Sequence, residues 1–263
     1  MMGEGSDPSP ILVMEAMRRP SPTGGEGIVT DAAIVPTMRV LAIDTALEAC
    51  AAAVYDAESG QLVSESVPMV RGHAEALMPL LERVMKQADV PFTQLDRIAV
   101  TTGPGSFTGL RVGIAAARGI ALAAVKPAIG LTTLACYAAP HIAHDDKTAV
   151  AVAIDARHQH VYLQVFGPGG RTLTGPKIAS VADAVRASAQ NSVRLVGTGA
   201  AMLAAAWPER EAPPALVDES RAPDIAWVAR LAVAADEGSG EPKPLYLRAP
   251  DAQPQDAARL PRR

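Results

Sequence analysis

The chain is poor in aromatic side chains: 3 Phe, 4 Tyr and 2 Trp make up 3% of its 263 residues. That leaves little material for a platform on which unpaired bases could stack. A basic stripe is missing as well. The 24 Lys and Arg are outnumbered by 28 Asp and Glu, for a net charge of −4 and a pI of about 5.8. The one basic cluster, Arg259, Arg262 and Arg263, stands at the C-terminal end. This balance argues against a dedicated nucleic-acid surface. Two cysteines, Cys50 and Cys136, make no disulfide framework, and both sit among small apolar residues as buried thiols do. No apolar run reaches the ~20 residues of a membrane helix. Ile11–Met14 is too short for the apolar heart of a signal peptide, and Arg18 and Arg19 follow it rather than precede it. The expectation is a soluble cytoplasmic protein with no membrane contact.

Against this background one segment stands out. A β-branched run, Ile98 to Thr102, leads into Gly103-Pro104-Gly105-Ser106-Phe107-Thr108-Gly109, and that turn leads into a helix made largely of small residues. The glycines permit tight backbone turns and the close approach of another surface. Behind the turn, Gly113, Ala117 and Ala121 recur at four-residue spacing, so one helix face is nearly bare and invites close helix packing. An anion held at the helix N-terminus and a protein partner on the helix are both open explanations.

The chain is long enough for one large domain or two lobes. Residues 1–37 are rich in Gly, Pro, Ser and Thr and lack periodicity, which predicts a disordered extension; Met38, just before the first strand, is the expected start of translation. Three strands follow, at Val40–Ile43, Ala51–Tyr55 and Leu62–Val67, then a helix with apolar positions Ala74, Leu77, Met78, Leu81, Val84, Met85 and Ala88. Pro79 should kink that helix or mark its effective start. The strand at 98–102, the glycine motif with its helix, a strand at 128–131 and a helix from Thr132 to Ala139 complete the order βββαβαβα. Ala42-Ile43-Asp44 then recurs as Ala153-Ile154-Asp155, again followed by a strand and a glycine-containing turn, which predicts a duplicated lobe. The second half shows only a strand at Val193–Val196, the turn Gly197-Thr198-Gly199 and helices at Ala200–Ala206 and Asp224–Ala234, so that lobe is read as degenerate. The expected division is an extension 1–37, lobes 38–145 and 146–240, and an extended tail 241–263.

Duplicated βββαβαβα lobes with an Asp after the first strand resemble the actin-like ATPase/sugar-kinase (ribonuclease-H-like) α/β fold. Met38–Thr45, Gly103–Gly113, Ile154-Asp155-Ala156-Arg157 and Pro244–Arg248, in that order, further resemble the TsaB family of bacterial tRNA threonylcarbamoyladenosine biosynthesis proteins, over about residues 38–250. The resemblance implies a non-catalytic subunit. It would scaffold and activate a TsaD-like catalytic paralogue that adds threonylcarbamoyl to N6 of the adenosine next to the anticodon, with a TsaE-like ATPase in the same assembly. It also implies a homodimer when the chain is alone, indirect contact with tRNA and no cofactor. The paralogue's metal-binding His-x3-His would fall on Thr133 and Tyr137, which cannot replace two imidazoles as ligands.

Several residues are candidates on this reading. His73, Leu77 and Leu81 on the first helix, and Leu110, Arg111, Gly113, Ile114, Ala117, Arg118 and Ala121 on the second, are the expected partner interface. Gly113→Leu or Ala117→Leu should then block docking. Asp44, Thr45, Gly103, Gly105 and Ser106 form a weak nucleotide-site candidate, set against an ordinary strand-end turn and a tight helix-start turn. The turn after Asp44 lacks glycine and adds Glu48, which disfavours phosphate. An independent ATP-binding, kinase-like enzyme is the alternative function this pair of Asp residues keeps open. His141-x-x-His144-Asp145-Asp146 is expected in a loop and lacks further ligands placed by spacing, so no metal is expected there. His158 and His160 share a strand-edge face and are read the same way.

Overall fold

The computed structural model describes residues 37–189, 192–235 and 241–248. The expected extension, apart from Thr37, and the basic C-terminal end lie outside these residues. The elements run β1 (Arg39–Asp44), β2 (Ala49–Asp56), β3 (Leu62–Pro68), α1 (His73–Ala88), β4 (Arg97–Gly103), α2 (Phe107–Ala124), β5 (Ala128–Thr132) and α3 (Thr133–His144). The same order follows as β6 (Ala149–Asp155), β7 (His160–Phe166), β8 (Thr172–Ser180), α4 (Val181–Ser188), β9 (Val193–Val196), α5 (Ala200–Ala205), β10 (Leu216–Asp218) and α6 (Ile225–Ala234).

Each half builds one five-stranded sheet, β3-β2-β1-β4-β5 and β8-β7-β6-β9-β10. In both, the first three strands are antiparallel and the last two join in parallel. This is the topology of the actin-like fold. The second lobe is abbreviated rather than incomplete: α4 and α5 have 8 and 6 residues where α1 and α2 have 16 and 18. Two of its strands escape sequence reading. β8 is a solvent-facing edge strand that tolerates Gly175 and Pro176, and β10 has only 3 residues.

β1 is buried on both faces, which is why it reads as a continuous apolar run. Leu41 and Ile43 meet α1 and α2 on one side. Val40 and Ala42 meet Cys136 and Ala139 of α3 and Val228, Ala229 and Ala232 of α6 on the other. Helix packing therefore crosses the division between lobes. α6, which belongs to the second lobe by sequence, packs on the first sheet. α3 closes the first lobe and also packs Leu134, Tyr137, Ala138 and Ile142 on β6, β7 and β9. Pro79 does not start α1; the helix begins at His73 and runs through the proline, which faces solvent. α2 has the length and apolarity of a membrane span, but its Gly109, Leu110, Gly113, Ile114, Ala117 and Ala121 face is buried against its own sheet.

Candidate functional site

The glycine loop closes onto the turn after Asp44. The Ser106 amide donates to Ala46 O at 2.7 Å. A Cβ at Gly105 would collide with that same carbonyl, and one at Gly109 would collide with Thr45 O. Thr45 Oγ1 donates to Gly109 O at 2.7 Å, and Ser106 Oγ accepts from the Gly109 amide at 3.3 Å, capping α2. The glycines thus serve close backbone approach between two parts of one lobe. Thr45 is buried, and the Ser106 and Gly109 amides that a phosphate would need are already engaged. Of the nucleotide-site candidates, Asp44, Thr45, Gly103, Gly105 and Ser106 do come together, but as an internal seam in which only Ser106 is exposed.

Asp44 ends β1 with no exposed surface. Its Oδ1 accepts from Thr101 Oγ1 at 2.5 Å and from the Ala46 amide at 3.1 Å, while Oδ2 has no partner. Burial pushes its carboxyl above the ordinary range, against the pull of the Thr101 hydrogen bond. Thr133, at the first turn of α3, is equally buried, and its Oγ1 also lacks a partner. Tyr137 donates its hydroxyl to Ser220 O at 2.9 Å, and burial pushes its pKa well up. The two positions expected to replace the paralogue's imidazoles are therefore inside the protein. The hairpin turn is also tied across the lobes, since Arg221 Nη1 lies 2.9 Å from Glu48 Oε2.

The second lobe repeats this seam with a different outcome. The Gly199 amide donates to Ala153 O at 2.9 Å, and the Asp155 amide donates to Thr198 Oγ1 at 3.0 Å. Asp155 nevertheless stays exposed, its Oδ1 accepting from the Arg157 amide at 2.7 Å. Arg157, His158 and Gln159 are left-handed, with φ of 64°, 52° and 58°. Three consecutive non-glycine residues in that region carry real backbone strain. Nothing in residue type announced it.

The expected histidine cluster is divided. His141 and His144 lie in the last turn of α3, not in a loop. His141 faces Asp218, with Nε2 3.2 Å from Oδ2, and burial holds its pKa below the ordinary value. Asp145 pairs instead with Arg194 at 2.6 Å.

The partner-interface expectation needs correction. Leu77, Leu81, Leu110, Gly113, Ile114, Ala117 and Ala121 all belong to the core between α1, α2 and the sheet. A Cβ at Gly113 would strike Thr45 Oγ1. His73 is buried, its Nε2 3.1 Å from Leu47 O. Gly113→Leu or Ala117→Leu would break this core before it touched any docking. Only Arg111 and Arg118 of the expected set are exposed.

The surface these two belong to was missed. Phe107, Arg111, Ala115, Arg118 and Leu122 fall on one stripe of α2, all exposed, with Leu122 at 83%, and the C-cap Val125 just beyond the helix is 88% exposed. Gly119 and Ala123 lie beside it, and a Cβ added at Gly119 would meet nothing within 4 Å. Met78 of α1, which packs on the same side of the sheet, adds exposed apolar surface, and Val70 before α1 is exposed as well. The 241–248 segment runs along this stripe. Glu241 pairs with Arg118 at 2.7 Å, and Arg111 Nε donates to Tyr246 Oη at 3.2 Å.

Fold and site together define a two-lobed actin-like protein whose first-lobe Asp is sealed and whose α2 presents an apolar stripe that stays largely exposed among the described residues. Residues 67–237 match the family described as TsaD, tRNA N6-adenosine threonylcarbamoyltransferase. The chain belongs to this family, and within it is TsaB-like. It is 39% identical to the tRNA threonylcarbamoyladenosine biosynthesis protein TsaB of Escherichia coli over 48% of its own length, a match that spans about half of that protein, 53%. An uncharacterized protein of Mycobacterium tuberculosis is 35% identical over 82% of this chain and 94% of its own. The solved structure of YeaZ from Pseudomonas aeruginosa superposes with a TM-score of 0.67 at 27% identity, covering 80% of this chain and all of that one.

Proposed function

We propose that the chain is the non-catalytic subunit of a tRNA threonylcarbamoyladenosine-forming complex, which scaffolds and activates a TsaD-related partner in the cytoplasm. The observation that carries this reading is the buried start of α3. Thr133 and Tyr137 stand there, sealed from solvent, in a chain of the TsaD family. On the family resemblance those positions would carry the metal ligands, so this chain would work with a partner that has them. Because the partner shares the family fold, it would present a corresponding helix pair. The outer face of α1 and α2, bare at Ala115, Gly119 and Ala123 and apolar at Met78, Leu122 and Val125, suits close helix-on-helix docking of that kind. In the absence of the partner the same face would join two copies of the chain. A TsaE-like ATPase completes the assembly, and tRNA meets the partner rather than this acidic chain.

Deleting the gene and measuring threonylcarbamoyladenosine in bulk tRNA by nucleoside mass spectrometry tests the reading. The modification should fall sharply and return with the restored chain. An unchanged level would sink it.

A further inference from the structure

The docking stripe on α2 poses an electrostatic problem that the 241–248 segment answers. Arg111 and Arg118 stand in the middle of it, and covering a bare guanidinium with a partner costs desolvation that contact alone does not return. Arg118 is charge-compensated within the chain and Arg111 is held in place there. Arg118 Nη2 is 2.7 Å from Glu241 Oε2. The Arg111 guanidinium lies 3.8 Å above the Phe107 ring and its Nε donates to Tyr246 Oη at 3.2 Å. The Phe107 and Tyr246 ring centroids are 5.3 Å apart. Phe107 is 45% exposed and Tyr246 43%, so two of the chain's nine aromatic rings offer their outer surfaces at one corner.

The segment that carries Glu241 and Tyr246 is itself anchored. The Leu245 amide donates to Thr102 O at 2.8 Å, Leu247 packs in the core formed by α3 and the second sheet, and Arg248 Nη1 donates to Ala156 O at 3.1 Å. Tyr246 is thus held between two fixed neighbours, and the corner is organised before any partner arrives.

We infer that the Phe107–Arg111–Tyr246 corner is the anchoring hot spot of the docking face and that the 241–248 segment is a wall of that interface. Arg and aromatic side chains held rigid in a partly apolar surface are the groups that dominate interface energetics. The chemistry points to a TsaD-related surface that sets an apolar side chain on the Phe107 and Tyr246 rings and a carboxylate toward Arg111. The inference rests on the docking face proposed above.

Titration calorimetry of the full chain against the purified TsaD-related protein of the same cell tests both. Leu122→Glu, far along the stripe, should abolish binding. Arg111→Ala and Tyr246→Ala should each weaken it by about tenfold or more, the size of a hot-spot truncation. Tyr246→Phe, which keeps the ring and loses the hydroxyl, should fall between. Circular dichroism melting checks that each variant is folded. If Leu122→Glu destroys binding while Arg111→Ala and Tyr246→Ala bind as the parent does, the corner is overturned and the docking face stands. If Leu122→Glu also binds normally, or the parent chain does not bind, the docking face itself falls and takes the corner with it.

Discussion

The two lobes carry the same strand order and the same Asp at the end of their first strand, yet they treat that Asp in opposite ways. In the first lobe, Gly105 and Gly109 let the loop after β4 press onto the turn after Asp44, and long α1 and α2 cover the sheet. Asp44 ends up sealed from solvent. In the second, the loop after β9 makes the equivalent backbone contact through Gly199, but α4 and α5 are short and Asp155 remains at the surface beside a strained hairpin. Two copies of one frame thus meet solvent differently at the same place. What the first lobe gains from its long helices is an outward face on α2 that the second lobe cannot match.

The largest effect that would break this contrast lies in the glycines. Gly109→Ala should destabilise the chain by about 1–3 kcal/mol or more, because the added methyl meets the Thr45 carbonyl rather than a movable side chain. Gly119→Ala, on the outer side of the same helix, should instead stabilise it by about 0.5–1 kcal/mol. Thermal or urea unfolding of the two variants reads both signs. Equal effects would mean that α2 is not seated as described.

The two aspartates give the next contrast. Burial raises the folded-state pKa of Asp44. Its contribution to stability is therefore fully present below the ordinary carboxylate pKa of ~3.9 and is lost as pH rises through the raised value. Asp44→Asn should raise the Tm relative to the parent at pH 8, with the gain shrinking toward pH 4. Asp155→Asn, at an exposed position, should shift stability by no more than about 0.5 kcal/mol. Melting curves across that pH range decide it, and a pH-independent difference for Asp44→Asn would refute the account of its burial.

The smallest effect concerns the tie between lobes. Glu48 and Arg221 are 38% and 73% exposed, so Glu48→Ala should cost about 0–1 kcal/mol in unfolding experiments. A much larger loss would show that this pair, and not the shared packing of α3 and α6, joins the lobes.

Much of the architecture was readable from residue order. The buried runs of β1 and β4, the apolar spacing of α1 and the recurrence of Ala-Ile-Asp all depend on local patterns that the fold preserves. β8 and β10 were not readable, because an exposed edge with Gly175 and Pro176 and a three-residue strand carry almost no pattern. The buried and exposed sides of α2 were misread for a related reason. α2 is bare at Gly113, Ala117 and Ala121 and equally bare at Ala115, Gly119 and Ala123, so its periodicity has little contrast with which to choose a side. Arg111 and Arg118 are exposed because charged side chains must stay near water; Phe107, Leu122 and Val125 are exposed against the expectation that apolar residues lie inside.

The family resemblance pointed to Thr133 and Tyr137 as the positions without imidazoles; residue order alone was enough for the recurring Ala-Ile-Asp at each first-strand end and the tight glycine turn. These are statements about nearest neighbours in the chain and about the chemistry of single side chains. Which side of α2 meets the sheet, that Asp44 is sealed while Asp155 is not, and that residues 241–248 wall the α2 stripe depended on the folded molecule. Each is set by groups far apart in sequence, Thr45 against Gly109, Thr101 against Asp44, Tyr246 against Phe107, and local pattern holds no record of such meetings.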